Sequence, residues 1–331
     1  ALAAALWQAR RLIRPLRALG AGANTLGSGH LEHRIVVEGN DELSDVAQTF
    51  NQMAAHLQQS RSEIERQNER LRHGLVLARD IQVGLLPTAA PWNANTLSVY
   101  ARSLPAYEVG GDFYSYLALS QGRAAIAIGD ISGKGVGAAL LMALTSSLVE
   151  SHARQSESPA QVLAALNAAL TPRLKANRMN AALLYAVLDP ASRQLTVANA
   201  GMIAPILLGG QGVRMLDIGG LPIGALAGAT YRDHTLTLDP GETLLFVSDG
   251  VVEAHNAAGE LWGFERLEGL LQRVESARDT HQIVTAILDA VHAWMGDTEQ
   301  HDDITLVAVH PAQQGSYENQ GQELELEVRA T

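Results

Sequence analysis

The residues in this chain best suited to chemistry are carboxylates standing where apolar runs stop. In Ala124 to Gly137, AAIAIGDISGKGVG, the run Ala125 to Ile128 ends on Gly129 and Asp130. A glycine-rich turn then leads into a second apolar run, Ala138 to Leu148. Apolar residues that stop at Gly-Asp read as a buried strand delivering a carboxylate to its edge. An Asp in that place also caps turns and helices. The pattern recurs, however, at Asp249 in FVSDGVVEA and at Asp302 with Asp303 in HDDITLV, while Asp112 follows two glycines in VGGDFYSY. Buried carboxylates close together repel, so a cluster of them requires compensating positive charge. The chain has no cysteine, and its 35 acidic residues make oxygen the favoured ligand, which points to divalent cations of the Mg or Mn type. Gly110, Gly111 and Gly129 would let backbone approach an ion closely. Spacing alone leaves open whether these sites converge.

The elements that must position them follow from periodicity. Strand-like runs cover 97–101, 124–128, 182–188, 194–198, 235–238, 243–247 and 304–309, and helical patterns cover 138–150, 159–176, 264–275 and 280–295. The helices come in two pairs, and several strands are joined by turns too short for a crossover, such as DPASRQ and DPGE. That order predicts an α+β domain with largely antiparallel sheets and helices outside. GGQG at 209–212 is too short for a linker, and the polar, acidic stretch 313–331 is expected to be disordered. A net charge of −11 excludes electrostatic binding of nucleic acid by the body of the chain.

The first ninety residues read differently. ALAAALW is too short to span a bilayer, but Arg10, Arg11, Arg14 and Arg17 follow it as the cytoplasmic flank of a spanning helix would require. Residues 1–9 are therefore expected to be the end of such a helix. An apolar stripe through Leu12, Ile13, Leu16 and Leu19 predicts a helix, despite Pro15 within it, and Gly20 to Gly29 reads as a connector. A second helical stripe runs through Leu43, Val46, Phe50, Met53 and Leu57, with Asn40 as its cap. Pro15, GSGHLEHRI and NDELSDVAQTFNQMA together resemble a HAMP module, assigned to 10–60; the resemblance implies a parallel four-helix bundle that dimerises and relays motion from a membrane. Beyond it, Leu57, Ile64, Leu71, Ala78 and Leu85 repeat every seven residues beside a poor seam of Ser60, Gln67, Gly74 and Ile81. That predicts a marginal parallel coiled coil over the linker 61–91, hence a homodimer, ending at Pro87 and Pro91.

In this order VGGDFY, GDISGKG, NAGM, GLPIG, SDGVVEA and HDDIT, preceded by ARDIQVGLLP, resemble the PPM (PP2C-like) metal-dependent serine phosphatases of the SpoIIE/RsbU type. The resemblance implies an α-β-β-α sandwich over 92–312 with two Mn2+ or Mg2+ ions at one end of the sheets. It implies that Asp130 bridges both ions with help from the Ile131 carbonyl, that Asp249 and Asp302 complete one ion's shell, and that Asp112 supports the other. Asp303, where relatives have Asn, is given a turn or supporting role, and Asn199 in NAGM the pinning of a turn. The implied reaction is one-step hydrolysis by a metal-activated water, without a covalent phosphoenzyme. Lys134 stands where many relatives carry His; it is suited to binding phosphate and poorly suited to donating a proton, so the leaving-group acid stays unassigned. His30, His33, His152, His234 and His281 read as surface residues, His301 as the histidine nearest the acidic pair, and Phe113, Tyr114 and Trp262 as core.

The expected function is thus a HAMP-regulated protein serine/threonine phosphatase on the cytoplasmic side of a bacterial inner membrane, acting on a phosphorylated STAS-type anti-anti-sigma protein. The competing reading is a catalytically weak scaffold that binds a partner. A diguanylate cyclase would need an acidic residue after GGD, where this chain has Phe113.

Overall fold

The computed structural model describes residues 2–36, 41–94, 96–210, 212–274 and 279–311. The chain divides into two units, Ala1–Val76 and Leu77–Thr331. The expected helix cap Asn40 and the tail 313–331 lie outside the described residues.

In the first unit, α1 (Leu2–Gly27) runs through most of the stretch 20–29 expected as a connector, the irregular connector following only after Gly27 and leading to α2 (Glu42–Leu85), whose last turns belong to the second unit. Asp41 caps α2, its carboxylate accepting from the Ser44 backbone N–H at 3.2 Å. Leu19 of α1, Ile35 of the connector and Ala47 of α2 form a small core, with Leu26, Leu43 and Phe50 against it. The Asn51 carboxamide holds the connector by both its functions: it accepts from Ile35 N and donates to Ile35 O, each at 2.8 Å.

The second unit is built on two antiparallel sheets. One has the order β1 (Leu97–Leu104), β10 (Ile304–Pro311), β9 (Thr243–Val247), β6 (Ile206–Gly209), β7 (Gly212–Met215). The other runs β2 (Phe113–Ala118), β3 (Ala124–Ile131), β4 (Ala181–Asp189), β5 (Gln194–Ala200), β8 (His234–Thr237). Side chains alternate across a strand, and here both faces of each sheet are covered. In β3, Ala124, Ile126 and Ile128 meet Val307 and Val309 of β10 between the sheets. Ala125 and Ala127 face outward against α3 (Val136–Ala153) and α4 (Pro159–Ala176). Leu306 and Ala308 of β10 face the other way, against α6 (Gly263–Val274) and α7 (Thr280–Met295). The result is the expected α-β-β-α sandwich. Burial on both faces is why these strands read as unbroken apolar runs rather than alternating ones.

Periodicity did not reveal β2, β6 and β7. β2, FYSYLA, mixes aromatic, polar and apolar residues, and β6 and β7 are four-residue arms of a hairpin in which Gly209 pairs with Gly212. Among the described residues α3 is the one helix long and apolar enough to cross a membrane. Its Ala138, Leu141, Met142 and Val149 are buried in the core, which accounts for that composition.

Candidate metal centre

Antiparallel pairing explains how distant carboxylates meet. Phe113 pairs with Gly129, so the start of β2 lies beside the end of β3, and Asp112 comes next to Asp130. In the other sheet Leu306 pairs with Val247. Asp249, which opens the short helix α5 (Asp249–Val252) just past β9, therefore comes beside Asp302, just before β10. The two pairs act on each other, since the charges of Asp249 and Asp302 both bear on Asp130. Each sheet thus supplies two carboxylates at one end of the sandwich.

The electrostatics of this end are those of a negative cluster. Burial, then the charges of Asp130 and Asp303, push the Asp112 carboxyl well above its usual range, against the Thr305 and Ser248 hydroxyls. Burial, followed by the charges of Asp249 and Asp302, pushes Asp130 up to about 7. Asp249 is raised by burial and by Asp302. Among the described residues no Lys or Arg forms a salt bridge with any of the four.

A divalent cation fits this arrangement. Asp112 Oδ2 is buried without a hydrogen-bond partner, which in a carboxylate is costly unless a cation or a donor meets it. The backbone beside it is a cradle that a side chain would fill: a Cβ on Gly111 would stand 2.6 Å from the Ile131 carbonyl oxygen and 3.4 Å from Asp130 Oδ1. An all-oxygen donor set of this charge suits Mg2+ or Mn2+. Among the described residues no three acidic or imidazole groups are already drawn together as an ion would require.

Asp303 does different work. Its carboxylate accepts from the backbone N–H groups of Ala106 at 2.8 Å, Gly111 at 2.6 Å and Asp112 at 3.2 Å. It therefore ties the 105–112 loop to the start of β10. Gly250 lies so close to this turn that a Cβ there would be 2.1 Å from the Asp303 carbonyl oxygen. Lys134 reaches across the rim: its Nζ donates to the His301 carbonyl and lies 5.6 Å from the centre of the Tyr107 ring. Asn199 pins a turn, donating to Met202 O at 2.9 Å and Ile218 O at 2.8 Å and accepting from Met202 N at 2.9 Å. Phe113 and Trp262 are buried in the core, and Tyr114 is half-buried with its hydroxyl on the Pro87 carbonyl at 3.3 Å.

Three residues at this end escaped sequence reasoning. Glu253 is raised by burial and then by the charges of Asp249 and Asp302; it stands four residues after Asp249, a helical spacing that would have flagged it. His255 packs edge-on against His301 with ring centres 4.7 Å apart. Both line a cavity of about 350 Å³ that also borders Asp302 and Gly250. The third is Gln82, near the end of α2, which holds Gly110.

Comparison with known proteins places both units in known families. The family model of stage II sporulation protein E (SpoIIE) matches residues 120–311, and the HAMP domain model matches residues 7–59. Protein IcfG of Synechocystis sp. is 29% identical over 334 residues, 89% of this chain and 51% of its own length. This chain therefore spans about half of that relative. Phosphoserine phosphatase RsbU of Bacillus subtilis is 28% identical over 245 residues, covering 73% of this chain and 71% of RsbU. Among solved structures, the SiaA-PP2C domain of Pseudomonas aeruginosa superposes with a TM-score of 0.66 at 25% identity, covering 73% of this chain and 98% of that domain.

Proposed function

Since this chain belongs to the SpoIIE family of PP2C-type serine phosphatases and carries a HAMP module ahead of that domain, we propose that it hydrolyses phosphoserine on a protein substrate. The observation that carries this reading is the buried, unpartnered Asp112 Oδ2 beside Asp130, with Asp249 and Asp302 arriving from the second sheet. Asp130 and the Ile131 carbonyl, with Asp112, Asp249 and Asp302, would hold two Mn2+ or Mg2+ ions. When bound, such ions neutralise phosphoryl charge and lower the pKa of water enough for it to attack phosphorus at neutral pH.

The protein's own residues set the conditions for that attack. Asp303 and the glycines fix the backbone that carries Asp112. Glu253 and the His255–His301 pair line the cavity beside Asp302, where residues flanking a phosphoserine would lie. Lys134 holds the turn after Asp130 against the His301 carbonyl and supplies a positive charge at the rim. With no cysteine in the chain, a cysteinyl phosphoenzyme is excluded.

The substrate class we propose is a phosphorylated STAS-type anti-anti-sigma protein, a reading supported by the similarity to RsbU. Membrane attachment through a preceding helix is supported by the HAMP match and by the arginines after residue 9. Dimerisation through α2 is supported by its apolar seam, where Leu57, Ile64 and Leu71 are all more than half exposed. Release of phosphate from a phosphoserine STAS protein, dependent on Mn2+ and lost in Asp130→Asn, tests the proposal. Binding of that protein without hydrolysis, under every metal condition, would favour the scaffold instead.

A further inference from the structure

The first sheet ends at β7, and among the described residues no strand pairs with its outer edge. Such an edge presents a row of N–H and C=O groups ready to pair with another strand. Here it also opens onto an apolar groove of about 250 Å³, between Val213 and Met215 of β7 and Phe264, Leu267 and Leu271 of α6. Met215 is 51% exposed and Phe264 47%, so large apolar side chains stand in water along the groove.

The two faces of β7 differ in chemistry. Val213 pairs with Leu208 and packs toward α6. Arg214 pairs with Leu207, which faces the other sheet. Its guanidinium meets the buried Glu242 at 3.0 Å, yet 45% of the side chain is exposed. A strand laid along β7 would therefore need apolar side chains on the α6 face and acidic ones on the Arg214 face, in alternation.

The chain carries such a stretch outside the described residues. The sequence after β10 is mostly polar as far as Gln322 and then reads ELELEV over 323–328. In an extended backbone Leu324, Leu326 and Val328 share one face and Glu323, Glu325 and Glu327 the other. One parity of pairing satisfies both faces of β7; the other would put carboxylates into the groove. The distance is short enough. β10 ends at Pro311, and β9 and β6 separate it from β7. At about 4.8 Å per strand, a new strand beyond β7 lies about 19 Å from β10. Residues 312–322 can span about 36 Å.

We propose that residues 323–328 add to the sheet as a strand along β7, with Leu324, Leu326 and Val328 in the groove and the glutamates beside Arg214. The segment covers the open edge and takes Met215 and Phe264 out of water. This inference is independent of the reading of the carboxylate cluster.

The test uses the full chain, which has no cysteine of its own. Arg214→Cys is combined in turn with Glu323→Cys, Glu325→Cys and Glu327→Cys, and with Leu324→Cys and Leu326→Cys for the opposite face. Mild oxidation is followed on a non-reducing gel. Facing residues of a strand pair lie within disulfide reach. We expect a glutamate position to cross-link within one chain at least about tenfold more than either leucine position, whose side chains point to the other face. A second arm leaves Arg214 in place and compares hydrogen exchange in the wild type and in Leu324→Asp/Leu326→Asp. In that variant the β7 amides pointing away from β6 should exchange at least about tenfold faster. If Arg214→Cys fails to fold, the exchange arm carries the test. Cross-links formed only between two chains would assign the groove to a second copy and overturn the inference. Equal cross-linking from both faces would overturn it as well. So would β7 amides that exchange alike in the two proteins, which would leave the edge to solvent or to a partner protein.

Discussion

At the scale of residues, the centre is four carboxylates whose mutual repulsion is held in place by the fold. Asp130 carries the clearest consequence. Its pKa, raised from 3.8 to about 7 without metal, means that the native state holds a proton more tightly than the unfolded chain does. Its contribution to the stability of the metal-free protein is therefore greatest below the unfolded value and is lost as pH rises through about 7. On the proposed reading a divalent ion would compete with that proton, so metal binding would strengthen over the same interval. Thermal scans in chelator should show the midpoint falling from acid to neutral pH, and the midpoint gain on adding Mn2+ should grow; a gain independent of pH would contradict the assignment. Gly111 makes a second test. A Cβ at that position meets backbone at 2.6 Å, so Gly111→Ala should lower Mn2+ affinity at least about tenfold, measured by titration on the folded variant.

At the scale of elements, the carboxylates meet because each sits at the end of one of two antiparallel strand pairs, β2–β3 and β9–β10. Much of this was legible in the sequence. Runs such as LLFV and ITLVAV announce doubly buried strands, the first stopping one residue short of Asp249 and the second starting directly after Asp303. The α+β class with helices outside follows from the order of the runs. What could not be read was convergence, since nothing in the spacing of Asp130 and Asp249 says that their sheets face one another. β2 stayed hidden because FYSYLA mixes aromatic and polar residues, and Gln82 because a buried amide looks like any surface glutamine until its partner is known. Asn199 shows the opposite case, a polar residue in a turn motif read as a pin and found making three hydrogen bonds. Asn199→Ala should cost about 2–3 kcal/mol of stability, as expected when buried partners are left unsatisfied, while Mn2+ affinity holds. Denaturant unfolding and titration on the same samples would separate the two effects.

At the scale of the whole molecule, a helix of 44 residues belongs to both units. In the HAMP unit it is clasped to the connector through Asn51, and in the phosphatase unit to the Asp112 loop through Gln82. Its exposed seam of Leu57, Ile64 and Leu71 is suited to a second copy of the chain. Ile64→Lys should shift the protein toward monomer in sedimentation velocity, whereas an unchanged distribution would remove that seam from the interface. A fragment beginning at residue 92 lacks Gln82 and should bind Mn2+ more weakly than the full chain; equal affinity and activity would mean that the helix has no part in the centre.

The most direct measurement is release of inorganic phosphate from a phosphoserine STAS protein by the full chain, with and without Mn2+, alongside Asp130→Asn. Release that requires Mn2+ and falls by about a hundred- to a thousandfold in the variant is the predicted result. Release that persists in chelator, or in Asp130→Asn, would contradict a phosphatase built on these carboxylates.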